Sequence, residues 1–350
     1  MSQNRVVEVV PTRSSPTLHA PDRALSAAAR TAVAAGVPDS TRAAYSNDFT
    51  KFKNWCEAND RSPLPATAET LTEYAAHLAY RDEPKPLSPG SIERVRSAIR
   101  SAHRAAGLEP PDSIGLAKVV KGYRARLAES RDPRAKPRKA TAATKDTLTQ
   151  VIAGFDLATP AGVRDAAIWL LGFSFAGRRS EIASLDIEDA VETDEGLTIK
   201  VYRKKGQRFD EIAVPFAENP ALCPVLAVMR WKACLANHGR TSGALFVRIN
   251  RHGHIGPNIT RDGRPIGDPT GRMTAQAISQ VITRSAGRKA LTGRWSGHSV
   301  RRGFATEARK AGHDRIRIAR QGGWSDNSTA LAGYMEDADR WTDNALKGVL

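Results

Sequence analysis

Two arginines, a histidine, a lysine and a tyrosine in the second half of the chain are the residues whose types could handle a phosphate ester. The first arginine stands in Ala176-Gly177-Arg178-Arg179-Ser180-Glu181, closing one apolar helix and opening another, with Glu181 three residues after Arg178. Lys204-Lys205-Gly206-Gln207 lies between two stretches rich in β-branched residues, which predicts a hairpin with Lys205 at its tip and Lys204 as its rival. In Ser296-Gly297-His298-Ser299-Val300-Arg301 the histidine and the arginine are three apart and share one face of a helix. Gly322-Gly323-Trp324 follows, and then Tyr334, with no other tyrosine after Tyr202. Guanidinium groups offer permanent charge and paired donors to phosphate oxygens. Imidazole and ammonium groups move protons, and a phenol can act as a nucleophile. Singly, each has an ordinary reading: surface arginines, an exposed lysine, a core tryptophan. The ordered set carries the weight.

That set, Arg178 with Glu181, Lys205, His298 with Arg301, Trp324 and Tyr334, resembles the catalytic residues of the tyrosine recombinase (phage integrase) family. Here tryptophan replaces the usual second histidine, as in some members. The resemblance spans about residues 40–345. It implies an enzyme that cuts and rejoins DNA at specific sites, with Tyr334 as the nucleophile forming a 3′-phosphotyrosyl bond. Arg178 and Arg301 would grip the non-bridging oxygens, and Lys205 would protonate the leaving 5′-oxygen. His298 would hydrogen-bond the phosphate and help move the tyrosine proton. Glu181 would orient the basic groups, and Trp324 would offer its indole N–H and a rigid wall. No metal and no cofactor are implied, since the guanidiniums supply the charge. No ATP is implied either, and the chain has no Gly-x-x-x-x-Gly-Lys-Ser/Thr loop. The implied partner is double-stranded DNA with inverted-repeat target sites, bound by a homotetramer without accessory proteins. Subunits would exchange a C-terminal helix over about 338–350, where Trp341, Ala345 and Leu346 share a face. Two alternatives stay open: a type IB topoisomerase-like relaxing enzyme, and an inactive DNA-binding protein.

The elements that must position these groups read as mainly helical with a small β-hairpin, and the resemblance implies that they form a two-domain, C-shaped DNA clamp. Residues 1–37 read as a disordered basic tail. Helices are predicted from an N-cap at Asp39-Ser40, then from Thr67 to Ala79, from Ser88-Pro89 through Ile92, Val95, Ile99 and His103, and from Ile114 to Leu127. This helical domain, 38–129, would bind DNA through Arg42, Lys51, Lys53, Arg94 and the stripe Arg96, Arg100 and Arg104. Residues 130–140 read as a basic linker, with Arg134, Lys136, Arg138 and Lys139 placed to follow a DNA backbone. The catalytic domain would occupy 141–350, with helices at Thr144–Phe155 and Val163–Phe175. Leu197–Arg203 and Glu211–Pro215 would form the hairpin, and Arg251–Arg272 reads as a loop.

Bulk composition agrees with this. Lys and Arg total 53 against 37 Asp and Glu, so the net charge of +16 points to a polyanionic partner. Hydrophobic residues, 41% of the chain, suffice for real cores. Cys56, Cys223 and Cys234 are too scattered for a disulfide framework or a cysteine-based zinc site, and His252 and His254 lack further ligands nearby. No signal peptide or membrane-length apolar run is found, which gives the expectation of a cytoplasmic, nucleoid-associated protein.

Overall fold

The computed structural model describes residues 25–349 apart from 137, 204–205, 257–258 and 342–343, so Lys205 and its rival Lys204 lie outside the described residues. The chain divides between Arg138 and Lys139 into two compact units.

The first unit is all-helical: α1 (Ala27–Ala35), α2 (Asp39–Glu57), α3 (Ala68–Tyr80), α4 (Pro89–Ala105) and α5 (Ile114–Glu129). α1 corrects the expectation of an irregular tail up to residue 37. Its alanine run has the highest intrinsic helix propensity, and Ser26 Oγ accepts the N–H of Ala29 at its start. α2 begins directly after Pro38, so Asp39 sits in the first turn, facing the free N–H groups, and does not cap. Thr67 and Ser88 cap α3 and α4 through their hydroxyls, with Pro89 opening α4. α2 packs on α4 and α3 on α5 around Phe52, Leu71, Tyr74, Ile92, Ile99 and Leu116. His103 is wholly buried there. Its Nε2 accepts from the N–H of Ala66 (2.9 Å), so the proton sits on Nδ1 and is donated to the carbonyl of Ile99 (2.8 Å).

The second unit is built on α7 (Pro160–Ser174), preceded by α6 (Lys145–Ile152). α7 is apolar nearly all round and so runs through the middle of the core, against α9 (Pro224–Ala236). Trp169, Leu171, Val228, Trp231 and Phe246 pack there with the inner face of a sheet. That sheet comprises β1 (Ala190–Thr193), β2 (Gly196–Arg203) and β3 (Arg208–Pro215), antiparallel in that order, with Arg203 opposite Arg208. β1 adds an edge strand to the expected hairpin. Within the stretch expected to be a loop, β4 (Ile259–Arg261) and β5 (Arg264–Ile266) pair across Asp262-Gly263, both with positive φ, the backbone a two-residue hairpin requires.

The remaining helices are α8 (Arg179–Ser184), α10 (Ala275–Arg288), α11 (His298–Lys310), α12 (Arg315–Gly322) and α13 (Thr329–Asp339). Of the helix expected at 338–350, the described residues show α13 ending at Asp339 and turns over 345–349. Trp341 and Val349 are 79% and 70% exposed. A segment this short gains too little from its own hydrogen bonds to hold a helix without a surface to bury its apolar face. No helix among the described residues is long and apolar enough to cross a membrane.

Candidate active site

Within the second unit, a single cleft is lined by Arg178, His298, Arg301, Trp324 and Tyr334. Residues 156 positions apart in the chain thus share one wall, and the local geometry shows how each is held. Arg178 is the residue before α8. Its backbone N–H donates to Glu181 Oε2 (2.9 Å) and its Nη1 to Glu181 Oε1 (2.5 Å). Glu181, 1% exposed, also accepts from Nη1 of Arg203 (2.8 Å). One buried carboxylate therefore aligns two guanidiniums.

Arg301 lies one helical turn into α11 and is 3% exposed. Its Nη1 donates to the carbonyls of Ala176 (2.6 Å) and Gly322 (2.7 Å), and its Cζ lies 3.7 Å from the Trp324 ring centroid. Nη2 is buried with no acceptor among the described residues. A buried donor left unpaired is costly, so this nitrogen marks a place for a ligand acceptor. Burial pushes the Arg301 guanidinium down to about 9, with Arg178 adding to the effect and Glu181 opposing it. The group stays cationic at neutral pH, and an anion in the cleft would reverse the shift.

His298 opens α11 and shares the cleft face with Arg301. By surface area it is exposed, yet it sits in a crowded cleft. Desolvation there, with Arg301, Arg179 and Arg178 nearby, holds its imidazole below the ordinary range. The sign follows: the neutral ring persists to lower pH than in a free histidine. An NMR titration should show His298 changing charge below about 6.5, and Arg301→Gln should move it back upward. A midpoint at or above the free value would contradict this electrostatic picture.

Trp324 and Tyr334 are placed by a small separate core of Ala176, Ala305, Ile318, Ala319 and Leu331. α12 ends in Gly322-Gly323. A Cβ on Gly322 would fall 1.8 Å from the Trp324 ring, and Gly323 has φ +60° with Nε of Arg203 at 2.6 Å from its would-be Cβ. Any larger residue there would displace the indole or the arginine. Ser328 caps α13 at the N–H of Leu331, and Tyr334 stands edge-on to Trp324 at 6.4 Å. Asp337, one turn beyond Tyr334, binds Lys139 (2.9 Å) and Arg302 (2.7 Å), while Asp339 binds Arg309 (2.8 Å). These pairs hold α13 against α11.

Of the expected cluster, then, Arg178, Glu181, His298, Arg301, Trp324 and Tyr334 are brought together, and Lys205 falls outside the described residues. Arg203 and Arg208 also line the cleft, although their types and positions had drawn no attention. The signal for Arg203 was present: strand alternation puts it on the inner row with Leu197, Ile199 and Val201, where an arginine is out of place.

The expected DNA contacts fare unevenly. Arg94 donates through Nε (2.7 Å) and Nη2 (3.1 Å) to Asp48, which is buried. It is the counter-ion of that carboxylate, although its side chain stays 49% exposed. Lys139 is likewise engaged by Asp337. Arg42 pairs with Asp39, Lys53 with Glu57, Arg96 with Glu93 and Arg134 with Asp132, while Arg100 donates to the carbonyl of Pro111. Surface pairs of this kind contribute about 0–1 kcal/mol, so a phosphate can displace them. Lys51, Arg104, Lys136 and Arg138 are exposed. The rings of His252 and His254 lie 6.2 Å apart and tilted to each other, and among the described residues no group of three or more His, Cys, Asp or Glu could hold a metal ion.

Comparison with known proteins identifies the family. The phage integrase family description matches residues 143–340, and the chain belongs to that family. It is 29% identical over 312 residues to an integrase/recombinase xerD homolog of Selenomonas ruminantium, covering 88% of this chain and 84% of that protein. It is 26% identical over 297 residues to the recombinase cre of Escherichia phage P1, covering 82% and 81%. Likeness to Cre is therefore modest. Among solved structures, a lambda integrase fragment bound to DNA aligns over 90% of this chain and 95% of its own, with TM-score 0.54 at 14% identity. That match speaks to fold. The protein is a tyrosine recombinase, an enzyme of site-specific DNA breakage and rejoining.

Proposed function

We propose that this enzyme exchanges DNA strands through a 3′-phosphotyrosyl intermediate on Tyr334, without metal or ATP. The observation that carries the reading is the convergence of Arg178, His298, Arg301 and Tyr334 on one cleft, with a buried Nη2 of Arg301 that has no acceptor among the described residues. The phenol oxygen attacks phosphorus, the P–O5′ bond breaks, and the phosphoryl group passes to the tyrosine. His298 takes part in moving the phenol proton, and Lys205 delivers a proton to the leaving 5′-oxygen. Arg178 and Arg301 neutralise charge building on the non-bridging oxygens, the task a magnesium ion performs in other phosphoryl-transfer enzymes. Because a phosphoester replaces a phosphoester, a 5′-hydroxyl from another strand can reverse the step. A nicked suicide substrate carrying the target should trap a covalent adduct in EDTA, and peptide mapping should place it on Tyr334. An adduct on another residue refutes the assignment. Relaxation of plasmid lacking any target would favour the topoisomerase-like alternative.

The target would be a pair of sites, each with two inverted repeats around a short exchanged spacer, held by four copies. The exposed Trp341 and Val349 suit a tail that docks on a second copy. The groove that fits it runs between α11 and β3, lined by Phe173, Pro215, Phe304, Ala308 and Ile318. Deleting 340–350, which leaves α13 whole, is expected to spare binding to a single half-site and abolish recombination. Full recombination by the truncated chain would refute tail exchange.

A further inference from the structure

Arg203 ends β2 and is 2% exposed, with its whole guanidinium engaged. Nη1 donates to Glu181 Oε2 (2.8 Å), Nε to Asp210 Oδ2 (3.2 Å) and Nη2 to the carbonyl of Gln321 (3.3 Å). Its Cζ lies over the Phe175 ring, 5.6 Å from the centroid. One planar cation thus joins the start of α8, strand β3 and the end of α12. An apolar residue would continue the inner row of β2 without burying a charge, so a purely structural position had an easier solution. A lysine could not make the same three contacts, because they use the fixed fork of a guanidinium.

The position of Arg203 in the chain says which group it serves. Lys204 and Lys205 follow it directly, and the hairpin closes with the N–H of Gly206 on the carbonyl of Arg203 (2.8 Å). Asp210 stands on the facing strand, where burial opposes its charge, but Arg208 and Arg203 together hold its carboxyl below the usual range. The base of the hairpin is therefore clamped, through one side chain, to the carboxylate that aligns Arg178 and to the turn that carries Trp324.

We propose that Arg203 is a positioning residue for leaving-group protonation. It registers the β2–β3 hairpin against the phosphate grip, so that the hairpin lysine meets the 5′-oxygen as the P–O5′ bond breaks. The proposal rests on the reading of Lys205 as the proton donor. It differs from a second possibility, in which Arg203 acts through Glu181 on Arg178 and so serves the grip.

A target whose scissile 5′-oxygen is replaced by sulfur separates the two. The thiolate leaves without a proton, since a thiol has a pKa of about 8.5. On ordinary DNA, single-turnover cleavage by Arg203→Met and Arg203→Lys is expected to fall about 100-fold, within the range a general acid supplies. On the sulfur-bridged DNA both should come within about threefold of the unsubstituted enzyme. Half-site binding should stay unchanged. Asp210→Asn, on a partly exposed strand position, should give the same pattern more weakly, and it guards against misfolding of the Arg203 variants. Equal losses on both substrates, or no loss on either, would overturn the proposal. Lys205→Ala and Lys204→Ala run beside these: sulfur rescue of neither refutes the lysine as donor, a failure read without reference to Arg203.

Discussion

Tyr334→Phe is expected to bind its target like the unsubstituted enzyme and to form no covalent adduct on a suicide substrate. Phenylalanine keeps the ring that stands edge-on to Trp324 at 6.4 Å and leaves Ser328, Asp337 and Asp339 free to hold α13. What it removes is one oxygen. The expected cost in stability is therefore within about 0.5 kcal/mol, as for other changes that touch no buried network. The expected cost in cleavage is at least about 10⁴-fold, the scale seen when a covalent nucleophile is deleted. The split between intact binding and absent chemistry is the diagnostic. Gel-shift and adduct assays on the same preparation measure both, and adduct formation by the variant would mean that another residue attacks.

Much of this was readable in the residues, for physical reasons that also mark where reading stops. Thr67 and Ser88 announce helix starts because capping and amphipathic spacing are local properties. The set that meets in the cleft was legible because the roles proposed for it demand residue types that cannot be exchanged. By contrast, Arg203 looked like one basic residue among many, since its value comes from Glu181, Asp210 and Gln321, which lie 22, 7 and 118 positions away. Arg94 illustrates the converse. Beside a basic stripe it reads as a DNA contact, and only the fold reveals the buried Asp48 that it pairs with, 46 positions away. The short β1 and the β4–β5 hairpin depend on pairing partners, which periodicity within three or four residues cannot reveal. The tail beyond Asp339 shows a further limit: its apolar face was visible, but a face becomes a helix only on a surface that buries it.

Arg301→Lys is expected to leave DNA binding within a few-fold of normal while cleavage falls about 10²–10³-fold, the loss that follows removal of a preorganised charge-stabilising donor. The argument turns on how many things the guanidinium does at once. Nη1 is consumed by the carbonyls of Ala176 and Gly322, Cζ sits 3.7 Å from the Trp324 ring centroid, and Nη2, with no acceptor among the described residues, remains for the phosphate. A lysine ammonium can satisfy the two carbonyls or reach outward, and it has no flat face to lay on the indole. Charge is conserved, so the many contacts that set affinity are untouched. The transition state loses a fixed donor at the moment its oxygens gain charge. Sulfur in place of the 5′-oxygen should not rescue this variant, because the defect lies in the grip and not in the leaving group. That contrast with Arg203→Met assigns the two buried arginines, one held by carbonyls and the other mainly by carboxylates, to opposite ends of the breaking bond. Rescue of Arg301→Lys by sulfur, or cleavage at the unsubstituted rate, would remove Arg301 from the phosphate and leave it only a place in the fold.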